Sequence, residues 1–156
     1  MPNYLHQTLP TLYKQWSITL DLMPMDIVPD SGQILHVTQG GNKDNYGDRT
    51  PFIKFGTGST NMLITSAING NKDHKSHGLP NPIPMYMWTR VEISQLRQSN
   101  GSYQYTIRID DTKYFQMDNT DPREFSDVKV YISDPWKSSA KAKISNFNLT
   151  TFPHRE

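Results

Sequence analysis

Almost every apolar run in this chain alternates with a period of two. In WSITLDLM (16–23), Trp16, Ile18, Leu20 and Leu22 fall on one side, with Ser17, Thr19 and Asp21 on the other. Successive side chains of a strand point to opposite faces, so this pattern predicts a strand with one buried face. The same reading predicts strands at 33–38, 51–56, 61–69, 88–96, 103–110, 112–118, 127–133 and 143–152. Asp110-Asp111 reads as the two-residue turn of a hairpin. Prolines 24, 29, 51, 80, 82, 84, 122, 135 and 153 all fall in the intervening loops or at strand ends. That placement supports the boundaries, because proline cannot donate to a ladder. About nine strands and no helix predict two antiparallel sheets packed face to face, an all-β jelly-roll sandwich. Its core is expected to hold Trp16, Ile18, Leu20, Ile64, Ile93, Ile107, Ile109, Val130 and Ile144. Trp88 opens the strand WTRVEISQL and is expected to cover the edge of that core.

The 156 residues suit one domain, 1–156, with its core in about 14–150. Lys plus Arg is 16 and Asp plus Glu is 15, a balance that makes no electrostatic case for nucleic acid or an anionic membrane. No apolar run approaches the roughly 20 residues that span a bilayer. The start, MPNYLHQTLP, lacks the basic n-region and apolar h-region of a signal peptide. The absence of cysteine removes disulfides, thiolate nucleophiles and cysteine zinc sites together. Two sequons, at Asn100 and Asn148, tilt the reading toward an extracellular protein.

Two polar loops hold the candidate chemistry. In QGGNKDNYGDRTP (39–51), Asn42, Asp44, Asn45 and Asp48 supply oxygen donors within seven residues. A calcium ion takes six to eight oxygens, and Asp44 and Asp48 are the candidate metal ligands if they converge. The spacing is not that of an EF-hand. The plainer alternative is a turn in which Asp48 meets Arg49 or backbone amides while glycine supplies positive φ. The second loop, NGNKDHKSHGLPNP (69–82), carries Asn69, Asn71, Asp73 and His74. Its His-x-x-His spacing lacks the rigid scaffold of a zinc site, and solvated histidines are the default. In a jelly roll the two loops could meet as a polar rim. Trp136, in DPWKSSAKA, is either an exposed ring for stacking a sugar or a lid on the core.

The motifs W-S-I-T-L-D-L-M-P (16–24), Q-I-L-H-V-T-Q-G-G (33–41), Y-G-D-R-T-P (46–51), S-A-I-N-G-N (66–71), W-T-R-V-E-I-S-Q (88–95), V-K-V-Y-I-S-D-P-W (128–136) and A-K-I-S-N-F-N-L (142–149) carry a resemblance. In this order they resemble the concanavalin A-like (laminin G-like) sandwich domains of secreted marine-invertebrate proteins. The resemblance implies the jelly-roll fold. It also implies an extracellular module, lectin-like or adhesive, whose partner is a glycan or an extracellular protein. The candidate contacts are Asn42, Arg49, Asn69, Asn71, Asp73, His74 and Trp136. A structural or protein-interaction domain without glycan binding is the alternative. A glycosidase of this fold would carry paired carboxylates on one strand, whereas Glu92 is the only acid in WTRVEISQL. No Ser-His-Asp set or HExxH occurs, so no enzyme is expected.

Overall fold

The computed structural model describes residues 4–133 and 139–154, and Trp136 lies outside them. The strands are β1 (Tyr4–Leu12), β2 (Gln15–Pro24), β3 (Gly32–Thr38), β4 (Phe52–Phe55), β5 (Met62–Ile68), β6 (Asn71–Lys75), β7 (Thr89–Arg97), β8 (Tyr103–Ile109), β9 (Thr112–Asn119), β10 (Phe125–Ile132) and β11 (Ala142–Phe152). They form two sheets, ordered β1-β10-β3-β4-β5-β6 and β11-β2-β7-β8-β9. Every strand pair in both sheets is antiparallel. This is the predicted jelly-roll sandwich.

The period-two pattern decides which residues enter the core. Along β2 burial alternates without a break, with Trp16, Ile18, Leu20 and Leu22 buried. Opposite them stand Ile34, Val37, Ile53, Ile64, Ile68, Val128 and Val130 of the other sheet, in the same apolar cluster. Trp16 and Phe115 both set their rings edge-on to the buried Tyr105, at 6.2 and 6.0 Å between centroids. The Asp110-Asp111 turn has φ of 49° and 65°, as a type I′ hairpin requires.

Four expectations are corrected. Strand β1 was not predicted, and it pairs along most of its length with β10. The supposed loop at 71–75 is strand β6, paired with β5, so Asp73 and His74 sit on a sheet edge. Trp88 is 48 % exposed. Val91 and Ile93 of β7 point inward, and Trp88 has the opposite parity, shared with the half-exposed Arg90 and Glu92. Ile144 is only half-buried, because β11 is an edge strand that packs its apolar side on the margin of the core.

Strand β3 is buried along its whole length. Its inner face meets the core, and the loop 39–51 lies over its outer face. There the backbone carbonyl of Asp48 accepts a 2.6 Å hydrogen bond from Nε2 of the buried His36.

Candidate functional site

Cross-strand register builds one row of side chains on the outer face of the six-stranded sheet. His36 faces Phe52, Phe52 faces Thr65, and Thr65 faces Lys75. Directly opposed residues of antiparallel strands point to the same side, so these four share a face, and Lys54 with Leu63 forms the neighbouring row. The loop 39–51 closes over one end of these rows.

Asp48 organises that loop. Its side chain is buried, with Oδ2 accepting from the Asn45 amide at 2.9 Å and Oδ1 from Gln39 Nε2 at 3.3 Å. Gly41 lies so close that an added Cβ would run into the Asp48 carboxylate. Asp48 therefore meets backbone and amide donors, the turn arrangement weighed against a calcium site. Asp44 is exposed, and its backbone carbonyl accepts from Lys72 Nζ at 2.9 Å. Among the described residues, no three His, Cys, Asp or Glu side chains gather as a group that could hold a metal ion.

Arg49, next in the chain, leaves the loop and crosses the sheet face. Its guanidinium stacks over the Phe52 ring at 4.3 Å. Nε donates to the Asn42 carbonyl at 3.2 Å, and Nη1 to the Asp73 carboxylate at 3.0 Å. The two polar segments thus meet through Asn42, Arg49 and Asp73, but on the sheet face and with Asp73 on strand β6, not as a rim of two loops. On either side of Arg49 the face sinks into two adjoining hollows. One, of about 230 Å³, is lined by Ser31, Gln33, Asn42, Lys43, Arg49, Phe52 and Lys54. The other, of about 240 Å³, is lined by Lys43, Arg49, Lys54, Leu63, Thr65, Asp73 and Lys75. Thr65 lines the second hollow, and Gln33 lines the first and also a hollow at the sandwich margin; Thr65 Oγ1 and Gln33 Oε1 are buried without a hydrogen-bond partner among the described residues.

The remaining predicted contacts lie elsewhere. Asn69 accepts from the amide and hydroxyl of Thr120 at 2.6 and 3.0 Å, tying the β5–β6 turn to the end of β9. Asn71 accepts from the Asp73 amide at 3.0 Å. His74 turns to the sandwich interior, 5.9 Å from the Phe115 ring. Sequence reasoning missed Lys43, Lys54, Thr65 and Lys75. Lys54 and Thr65 were visible as positions of outward parity between buried residues, while Lys75 was hidden by reading β6 as a loop.

Larger hollows occur away from this face. One of about 330 Å³ opens at the sandwich margin beside Ile132, Ala140 and Ile144. Another, of about 440 Å³, runs from Ile27 past Thr60 to Pro82 and Met85. Beside it, Tyr86 and Met87 are 65 % and 59 % exposed. On the outer face of the other sheet, Arg90 pairs with Glu92 at 3.2 Å and with Asp21 at 3.4 Å. The two acids there are bound to one arginine rather than facing each other across a cleft.

No family model matches the chain, and no curated protein matches it. Solved structures do. A heptameric SAP-like pentraxin from Limulus polyphemus has a TM-score of 0.60 at 15% identity, covering 93% of this chain and 67% of that one. Carbohydrate-binding module CBM66 from Bacillus subtilis has a TM-score of 0.52 at 11% identity, covering 94% and 78%. Sheep galectin-11 has a TM-score of 0.54 at 11% identity, covering 96% and 99%. Enzymes share the sandwich too, an endo-beta-1,4-glucuronan lyase from Trichoderma reesei among them. Such likeness establishes the fold, which is the concanavalin A-like jelly roll. Function must be argued from the site.

Proposed function

We propose that the protein is a non-catalytic, extracellular carbohydrate-binding module, and that glycan lies in the paired hollows beside Arg49. The observation that carries this reading is the pair of adjoining hollows rimmed by charged and amide groups, whose lining residues Thr65 and Gln33 carry buried side-chain oxygens without a hydrogen-bond partner among the described residues. A buried polar group without a partner costs about 1–3 kcal/mol, and a sugar hydroxyl is the right size and chemistry to satisfy it. Each hollow is smaller than the roughly 300–1,000 Å³ that encloses a drug-sized ligand. That size suits single rings of a chain that continues into solvent. The fold is compatible with the reading, because lectins and carbohydrate-binding modules use it. The exposed sequons at Asn100 and Asn148 fit an extracellular setting.

The test is a glycan array probed with wild type, Thr65→Val and Asn42→Ala, each with calcium and with EDTA. Retention of a glycan by wild type, reduced at least fivefold in Thr65→Val, is the expected result. A blank array in both media, or retention indifferent to both substitutions, would overturn the reading. A protein-interaction module is the second reading, favoured by the exposed Ile27, Tyr86, Met87 and Trp88 at one end of the sandwich.

A further inference from the structure

We infer that the hollow between Arg49 and β6 is a subsite for an acidic sugar, one carrying a carboxylate or a sulfate. This inference rests on the glycan reading above and narrows it. The formal charge of the whole chain is only +1, yet among the described residues this one hollow is lined by Lys43, Arg49, Lys54 and Lys75 with one carboxylate, Asp73. Asp73 is already engaged by Arg49 at 3.0 Å, so the field presented to a ligand is positive. Lys43 and Lys75 are exposed and stand on opposite sides, one from the loop and one from the sheet edge.

The lining supplies an independent observation. Thr65 is 2 % exposed and its hydroxyl has no partner among the described residues. A hydroxyl is a donor as well as an acceptor. Lining the same hollow as Lys43 and Lys75, it adds a donor beside their two ammonium groups for an anionic oxygen, while the stack on the Phe52 ring holds the Arg49 guanidinium in place. A neutral sugar would use the hydroxyl and leave the exposed Lys43 and Lys75 without a part in binding. Of the other acids in the loop, Asp48 is buried on the Asn45 amide and the Gln39 side chain, and Asp44 is exposed with its backbone carbonyl bound by Lys72.

The experiment is titration calorimetry of the whole chain with four defined oligosaccharides and a non-sugar control. The probes are an oligouronate, its carboxyl-reduced form, a sulfated glycosaminoglycan fragment, its desulfated form, and poly-glutamate of matched charge. Wild type is compared with Lys43→Glu/Lys75→Glu and with Thr65→Val, with folding of each checked by thermal unfolding. At least tenfold tighter binding of one acidic probe than of its neutral form is expected. That preference should weaken as sodium chloride rises from 50 to 300 mM (a test range) and vanish in the charge-reversed variant. The oligouronate and sulfated arms tell carboxylate from sulfate. Equal binding of acidic and neutral forms, with both lost in Thr65→Val, would overturn the inference while the glycan reading stands. Poly-glutamate binding as tightly as the best sugar would also overturn it, as would an acidic preference untouched by charge reversal. Silence toward every sugar here and on the array removes the glycan reading itself.

Discussion

At the scale of single residues, buried polar groups make the sharpest expectations. Asp48 is spent on the Asn45 amide and the Gln39 side chain. Millimolar calcium against EDTA is therefore expected to leave the melting temperature unchanged, whereas Asp48→Ala should cost about 1–3 kcal/mol by orphaning buried donors. A calcium-dependent rise in the wild type that Asp48→Asn abolished would return the cation to this loop. Tyr105 is the opposite case. Its hydroxyl is fully buried near Ser66 and Ser76, and none of the three oxygens has a well-formed hydrogen bond among the described residues. Burial pushes its pKa well above the ordinary tyrosine value. Above about pH 10 the unfolded chain loses a proton that the folded chain keeps, so stability falls as pH rises. Tyr105→Phe should be within about 1 kcal/mol of wild type at pH 7 and should lose less stability between pH 10 and 11. Tyr46, raised by burial and by the charge of Asp121, leaves part of the alkaline loss in place. Chemical unfolding of both proteins at several pH values measures this directly.

At the scale of elements, the loop 39–51 behaves as a folded flap over β3 and β4. Gly47 has φ of 104°, and a Cβ there would enter the Phe125 ring. Gly47→Ala is expected to cost on the order of 2–4 kcal/mol through strain and overpacking, read as a loss in denaturant midpoint. The central strands were legible in the sequence because both neighbours and the core constrain them, and alternation is what burial on one face writes into a chain. The edges were not. The run NKDHK of β6 has no apolar residue to signal a strand, and an edge strand with one neighbour and a solvated side needs none. The run YLHQTLPTL of β1 carries Pro10, which sits harmlessly on an edge. The missed β6 also hid Lys75, one of the four cationic residues that line the hollow. Trp88 misled for another reason: its size suggested core, while its parity, opposite to Val91 and Ile93, pointed to solvent. Trp88→Ala is accordingly expected to shift stability by about 1 kcal/mol or less, where a buried tryptophan would cost about 3–5. Thermal unfolding of that variant tells them apart.

At the scale of the whole molecule, the sandwich is held shut by its two ends. Strand β1 lies beside β10, and β2 lies beside β11. Two hydrogen bonds near the β2–β11 pair, from the Tyr13 amide to Thr151 and from Thr151 to the Gln15 carbonyl, span 138 and 136 positions of chain. His6 and Phe147 also stack edge to face across the margin at 5.1 Å. A chain cut after residue 140 lacks β11 and should show no cooperative thermal transition, because one side of β2 would then be unpaired along its length. Retention of a sharp transition would show that the remaining ten strands suffice. The same closure has a cost in time. Pairings between distant positions form late and make folding slow. At about 5–20 residues per second on the ribosome, β1 and β2 wait on the order of ten seconds for β10 and β11 to be made. Throughout that delay the alternating apolar face of β2 lacks its full cover, and the newborn chain depends on whatever shields it.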